Sequence, residues 1–310
     1  MSPLVSTITP CFRMKPYLKR FLDELPLQTY FDRLEVVLDH NEPDEEELGW
    51  VRDFQDRYPG HLKHIVVNPV DPIGTSMNRC IKEASGDLLT IWNVDDLRTP
   101  DSIERQVAAF EKGADFVYGN FIIVRSFGAT SGTITRFDAY KERHEEFTRS
   151  MLLGPFMAFR KSLCDKAGMF DEQLKSGADF DLAIRLAFHG VPGMADGVLG
   201  YYLNEGKGAS TRPGSKQVVE RTVIELRYGI YDKLDYDAVV PALSYDIKHV
   251  VTDGSAVPVS VYVPRYVQIL QAHCDAFLSK GLRKYVFRKT LYVDRLENIL
   301  KGHIKRLFVK

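Results

Sequence analysis

What most constrains the fold of this 310-residue chain is a switch between two hydrophobic periods, repeated along its first 124 residues. LVSTITP (4–10) is a β-branched run closed by Pro10, and YLKRFLDELPLQ (17–28) then carries apolar residues at helical spacing. LEVVLDH (34–40) reads as a second strand, the acidic stretch 42–58 as a polar helix and HIVVN (64–68) as a third strand. SMNRCIKEAS (76–85) is a helix stopped by Gly86, and DLLTIWN (87–93) is a fourth strand. A helix over 100–112 leads to ADFVYGNFIIV (114–124), one or two further strands. Parallel strands need a helix-length return, so this alternation predicts an α/β sheet with helices on both faces.

The text changes after residue 150. A Gly-Pro break at Gly154-Pro155 precedes a short helix, a second helix spans about 179–189 up to Gly190, and GVLGYYLN (197–204) is another strand. Beyond 215 the alternation stops and helical segments follow, interrupted by DGSAVPVSVYVP (253–264), which reads as irregular or extended. The expected division is therefore an α/β domain over 1–214 and a mainly helical region over 215–310.

In open α/β sheets ligands bind beyond the carboxyl ends of the strands, where strand order reverses. Pro10, Asp39, Asn68 and the stretch Asn93–Asp96 fall at those ends. The chain carries a formal net charge of −1, so it offers no overall field for nucleic acid. Cys11, Cys80, Cys164 and Cys274 are scattered without a CxxC pair, which suits a reducing compartment and no zinc site. No run approaches the roughly 18 apolar residues of a membrane span, and the first residues lack a basic segment before a hydrophobic core. A cytoplasmic protein is expected.

Asp95 and Asp96 are the sharpest chemical signal. Thr99-Pro100-Asp101 supplies an N-cap, a proline at the first helical position and an acidic first turn, so the two aspartates are not needed for capping. Two ionised carboxylates about 5 Å apart repel by roughly 3 kcal/mol at an effective dielectric of 20. A divalent cation reverses that sign, and hard oxygen ligands suit Mg²⁺ or Mn²⁺ completed by waters and substrate phosphates. A plain surface turn is the competing reading of the pair.

Five segments in order, VSTITPCFR, LEVVLDH, GTSMNRCIKEASGDLLTIWNVDDLRTPDSIERQ, FMAFRKSLCDKAGMFDE and GADFDLAIRLAFHG, together resemble the family-2 glycosyltransferases over roughly residues 3–212. The resemblance implies a GT-A fold, a Rossmann-like mixed sheet that binds nucleotide-diphospho-sugars, followed here by the helical C-terminal region. It implies that Pro10, Phe12 and Arg13 lie along the nucleotide base and that Asp39 contacts base or ribose. Asn78 and Asn93 match its nucleotide-binding segments, Asp95 the ribose and metal ligand, and Asp96 a second metal ligand. In the ADFD segment, Asp179 matches the catalytic base.

Gly154, Pro155, Phe156, Ala178 and Asp181 are expected near the donor sugar or acceptor, together with the polar loop near 126–149. Three departures stand out: Asn93 replaces the usual first acid, Met77 stands where an arginine commonly precedes Asn78, and Ala178 replaces the glutamate of the ED pair. The histidine usual near YYLNEGKGAST has no counterpart, its place falling near Asn204 or Glu205. Asp179 has a second reading as a helix N-cap, compatible with the first.

The expected activity is inverting, non-processive transfer of one sugar, with a UDP-sugar as default donor and a hydroxyl of a glycan or lipid-linked acceptor, as in bacterial-type surface polysaccharide synthesis. Rivals are a catalytically degenerate nucleotide- or glycan-binding protein of the same fold, and a sugar nucleotidyltransferase, whose glycine-rich basic first loop TPCFRMKP lacks. Residues 280–310 carry ten Lys or Arg against Asp294 and Glu297, with apolar residues at helical spacing. A basic amphipathic helix of this kind suits an anionic membrane surface, so peripheral contact at the inner face is one expectation and a packed terminal helix the other. The helical region also gives room for a homodimer interface.

Overall fold

The computed structural model describes residues 3–137, 153–206, 216–230 and 234–276. The first part of the chain forms β1 (Val5–Phe12), α1 (Lys15–Glu24), β2 (Leu34–Asn41), α2 (Glu45–Arg57), β3 (Leu62–Val67), α3 (Ile73–Glu83) and β4 (Leu88–Ile91). Next come β5 (Leu97–Arg98), α4 (Ser102–Glu111), β6 (Phe116–Val124), β7 (Thr133–Ile134), β8 (Ala158–Arg160) and the short α5 (Cys164–Ala167). Then follow α6 (Ala178–His189), β9 (Pro192–Leu203), α7 (Gln217–Tyr228), α8 (Tyr236–Ala242), β10 (His249–Thr252), β11 (Ser255–Pro258), α9 (Val259–Tyr262) and α10 (Tyr266–Ala276).

One mixed sheet runs in the order β3-β2-β1-β4-β8-β6-β9-β5, with β7 paired on β6. Strands β1 to β4 are mutually parallel where they pair, β8 is antiparallel to both β4 and β6, and β9 is parallel to β6. Two reversals cancel, so β6 and β9 point the same way as β1 to β4. The predicted α/β sheet is present, with an antiparallel strand inserted at its centre.

Both faces are covered, and the residue alternation of β2 shows how. Val36 and Leu38 pack with Leu18, Phe21 and Phe54 from α1 and α2, whereas Val37 faces Cys80 and Ile81 of α3. Every residue of β2 is buried, as expected for a central parallel strand under helices on two sides. Val223 and Ile224 of α7 and Val239 of α8 join the same core cluster as Ile8 and Val37. The segment after 215 therefore changes secondary structure while sharing the hydrophobic core of the sheet.

Two local expectations are corrected. Helix α4 begins at Ser102, and Thr99 does not cap it: its hydroxyl donates to the Val198 carbonyl of β9 at 2.9 Å, tying the loop to the sheet. Of the stretch 253–264, Ser255–Pro258 is extended as expected, pairing with β10 in a hairpin whose turn residues Asp253 and Gly254 have φ of 54° and 69°, the left-handed pair a two-residue hairpin favours, but Val259–Tyr262 is the short helix α9. Residues 280–310 lie outside the described residues, as does 138–149 of the expected polar loop.

Candidate active site

Because β1, β2, β4, β6 and β9 run the same way, their carboxyl ends share one side of the sheet. Helix α6 reaches that side too. Only Gly190 and Val191 separate it from the start of β9, so its other end, 12 residues or about 18 Å away, lies at the strands' carboxyl ends.

At the end of β1, Arg13 is exposed and holds a left-handed φ of 56°, a conformation that costs a non-glycine residue about 1 kcal/mol. Its guanidinium lies over the Phe12 ring, 4.8 Å from the centroid. At the end of β2, Asp39 is fully buried; it accepts from Asn41 Nδ2 and from Arg79 Nη1, each at 2.6 Å. Arg79 also pairs with Asp71. The group that a ligand can reach here is thus the Arg79 guanidinium, which the sequence reading missed although it adjoins Asn78.

Asn78 is placed differently from the expectation. Its amide donates to the Phe170 carbonyl at 2.9 Å and to Glu172, while its oxygen accepts from the Phe170 N–H at 2.8 Å. It is a buried cross-link between α3 and the segment leading to α6, not a nucleotide contact.

At the end of β4 the two aspartates divide. Asp96 is 1% exposed; its Oδ1 accepts from the Leu203 N–H of β9 at 2.9 Å and its Oδ2 from Asn93 Nδ2 at 3.1 Å. Asn93 is thereby accounted for: its neutral amide donates to the carboxylate where an acid would repel it. Arg98 lies buried in this layer, bonded to Thr90 and the Ile91 carbonyl and stacked at 5.2 Å and 5.0 Å on the Trp92 and Phe156 rings. Burial pushes Arg98 down to about 9, partly offset by the charge of Asp96.

Asp95 is only partly buried, and no cation pairs with it among the described residues. Burial pushes its carboxyl up, and the negative charge of Glu205 just beyond β9 adds to the rise. Tyr17 donates to Glu205 at 3.2 Å. Asn204 and Glu205 stand where the resemblance places a histidine.

The helix start at 178 divides its two aspartates in the same way. Asp181 is fully buried, accepting from Arg185 Nε at 2.8 Å, from Arg227 and from the Tyr228 hydroxyl at 2.9 Å; these partners hold its carboxyl below the usual range despite burial. The arginines leave it no access to a sugar, which corrects that expectation. Asp179, two residues earlier, is partly exposed and accepts from the Phe180 N–H at 2.8 Å. Burial raises its carboxyl to about 6, with a further push from the charge of Glu220. It is not an N-cap: the helix starts after Gly177 without a side-chain cap.

Among the sugar-proximal residues, Phe156 and Ala178 are core side chains, not ligand surfaces, and Gly154 holds φ of 65° with the Phe121 ring 2.7 Å from where a Cβ would stand. Pro155 is partly exposed. Among the described residues no group of three or more His, Cys, Asp or Glu could by itself hold a metal ion. Asp95 fits a cation of another kind, one held by a single protein carboxylate or two and completed by water and ligand phosphates. A carboxyl raised by burial and by a neighbouring negative charge, as Asp95 is, meets the electrostatic condition a cation relieves.

A sequence profile, glycosyl transferase family 2, matches residues 6–168. The chain is 33% identical over 115 residues to the uncharacterized glycosyltransferase YwdF of Bacillus subtilis, covering 36% of this chain and 42% of that protein. It is 24% identical over 189 residues to the uncharacterized glycosyltransferase RT0329 of Rickettsia typhi, covering 58% of each. The match thus spans about half the length of these relatives. Among solved structures, S. aureus TarS 1-349 in complex with UDP-GlcNAc superposes with a TM-score of 0.63 at 17% identity, over 98% of this chain and 81% of that one, a likeness of fold. The profile covers more than half of the chain and its boundaries enclose both β1 and the aspartate pair, so this protein belongs to glycosyl transferase family 2.

Proposed function

We propose that this protein is a metal-dependent, inverting glycosyltransferase that moves one sugar from a nucleotide-diphosphate sugar to a hydroxyl of a glycan or lipid-linked acceptor. The observation that carries this reading is Asp179. It is an accessible carboxylate held near pKa 6 on the side of the sheet where the strands end, beside an aspartate that two arginines neutralise. A general base works best when its pKa lies near the operating pH, because it is then both deprotonated and basic enough to take a proton.

In this reading Phe12, Arg13 and Arg79 bind the nucleotide. Arg79, fixed by Asp39 and Asp71, offers a preorganised guanidinium edge to a base or ribose oxygen. Asp95 would hold Mn²⁺ or Mg²⁺, which when bound supplies Lewis-acid stabilisation of the departing diphosphate. Asp96 keeps the strand end rigid beneath it, through Leu203 and Asn93. Asp179 accepts the proton of the acceptor hydroxyl on the face of the sugar opposite the leaving group. TarS, which shares the fold, is found with UDP-GlcNAc, and uridine is the base we place first. No helix among the described residues is long and apolar enough to cross a membrane, and we place the protein in the cytoplasm or peripherally at the membrane's inner face.

The test is a thermal-shift screen with UDP-, GDP-, CDP- and TDP-sugars, with and without Mn²⁺, followed by nucleoside diphosphate release from each stabilising donor. A Mn²⁺-dependent shift with one donor and turnover on adding acceptor is expected. Binding without turnover under every condition would favour a degenerate binding protein of the same fold.

A further inference from the structure

Helix α7 belongs to the C-terminal region, yet it sends a carboxylate into the α/β layer. Glu220 is fully buried, and its Oε2 accepts from the N–H groups of Lys175, Ser176 and Gly177 at 2.9, 2.6 and 3.0 Å and from Ser176 Oγ at 3.0 Å. Its Oε1 accepts from the Lys175 N–H at 2.8 Å and from the Tyr245 hydroxyl at 3.4 Å. No cation pairs with Glu220 among the described residues; consecutive backbone donors surround it instead. These residues end one position before Ala178 and two before Asp179.

The first N–H groups of a helix have no partner within it, and a carboxylate near them is stabilised by hydrogen bonds and by the helix dipole. Glu220 takes the N–H groups of the turn just before the start of α6, 175–177, and places its charge beside the helix's positive end. Here Gly177 is the cap residue and has no side chain, and Ala178 stands where the family resemblance leads one to expect a glutamate. A side chain at Gly177 would also be crowded: a Cβ there would come within 3.0 Å of Ile224 and 3.4 Å of Glu220.

We infer that Glu220 is a positioning residue for Asp179, a carboxylate delivered from α7 that fixes the 175–177 turn and so sets the place of the catalytic base. The inference rests on the reading of Asp179 as base. Glu220 holds the turn rigid through four donors, and its negative charge opposes ionisation of Asp179. The other charges around Asp179 cannot substitute. Behind it, Asp171 and Asp181 are matched by Arg185 and Arg227, two against two, and Lys175 directs its side chain to solvent. Tyr245 faces Glu220 from the segment after α8.

The experiment compares Glu220→Gln, Glu220→Asp and Ser176→Ala with Asp179→Asn and wild type. Hydrogen exchange at residues 175–180 and the pH profile of nucleoside diphosphate release, from UDP-GlcNAc or whichever screened donor turns over, are the readouts. Glu220→Gln is expected to expose the 175–177 amides, to lower kcat by on the order of 10–100-fold through misplacement, and to move the acid limb modestly below about 6, burial still keeping it above the ordinary 3.8. Glu220→Asp should restore the limb partly. Ser176→Ala, which removes one donor only, should fold normally and loosen the turn with the limb unmoved. If Asp179→Asn is inactive while Glu220→Gln leaves exchange, kcat and the acid limb unchanged, the positioning role is overturned alone. If Asp179→Asn keeps wild-type turnover, the base reading itself falls, whatever Glu220→Gln does.

Discussion

The site contains two aspartate pairs, one at a strand end and one at a helix start, and each is divided between a locked and an available carboxylate. Asp96 and Asp181 are buried and saturated with donors, whereas Asp95 and Asp179 are partly exposed; burial raises the carboxyls of Asp95, Asp96 and Asp179, and only Asp181 is held below the usual range by its arginines. The locking differs in kind. Asp96 is held by a backbone N–H of β9 and a neutral amide, Asp181 by two buried guanidinium groups. The available members differ too: a cation would relieve Asp95, which is raised by burial and by Glu205, whereas burial, with a smaller push from Glu220, keeps Asp179 basic while the Glu220 carboxylate is occupied by N–H groups. In each pair one carboxylate provides rigidity so that its neighbour can remain in an unfavourable, reactive state.

The largest test of this comparison is Asp179→Asn. Turnover should fall about 10²- to 10⁴-fold, the range a positioned general base contributes, with donor binding unchanged. The same substitution should make the protein more stable. The folded pKa near 6 exceeds the unfolded value, so the folded state binds more protons between about pH 4 and 6, and stability from this group is lost as pH rises through that window. Removing the charge should therefore raise stability at pH 7 by about 1–3 kcal/mol, read by urea denaturation.

Asp181→Ala should do the reverse. It leaves Arg185 without its carboxylate and Arg227 with Asp171 alone, and should cost roughly 3–5 kcal/mol of stability, seen as a lower denaturation midpoint. Equal stability effects at 179 and 181 would break the division.

At the strand end the contrast is milder. Asp95→Asn should abolish the Mn²⁺ dependence of donor binding with little change in Tm, whereas Asp96→Ala should cost about 1–3 kcal/mol by leaving the buried Leu203 N–H and the Asn93 amide without their acceptor. Calorimetric titration with and without Mn²⁺ separates the two. The smallest effect is expected at Arg13→Gly: relief of the left-handed conformation should stabilise by about 0.5–1 kcal/mol while donor affinity drops. Unchanged affinity would remove Arg13 from the nucleotide site.

The sequence by itself determined the alternation of β1 to β4 with their helices, the placement of Pro10, Asp39 and Asp95 at strand ends, and the family, because hydrophobic period and local motif are properties of contiguous residues; the short strands β5, β7 and β8 it did not reveal. It could not tell Asp95 from Asp96 or Asp179 from Asp181. Those differences depend on partners 107 residues away at Leu203 and 46 away at Arg227, which only the folded sheet and helices bring together. The same limit hid Arg79 behind Asn78, turned Asn78 inward to Phe170, and gave Thr99 a strand carbonyl to bond in place of a helix end. It also hid Glu220, whose donors lie 43 to 45 residues earlier in the chain. Chemistry-bearing residue types can be read locally, but burial and hydrogen-bond saturation, which decide what a carboxylate can do, are set by tertiary contacts.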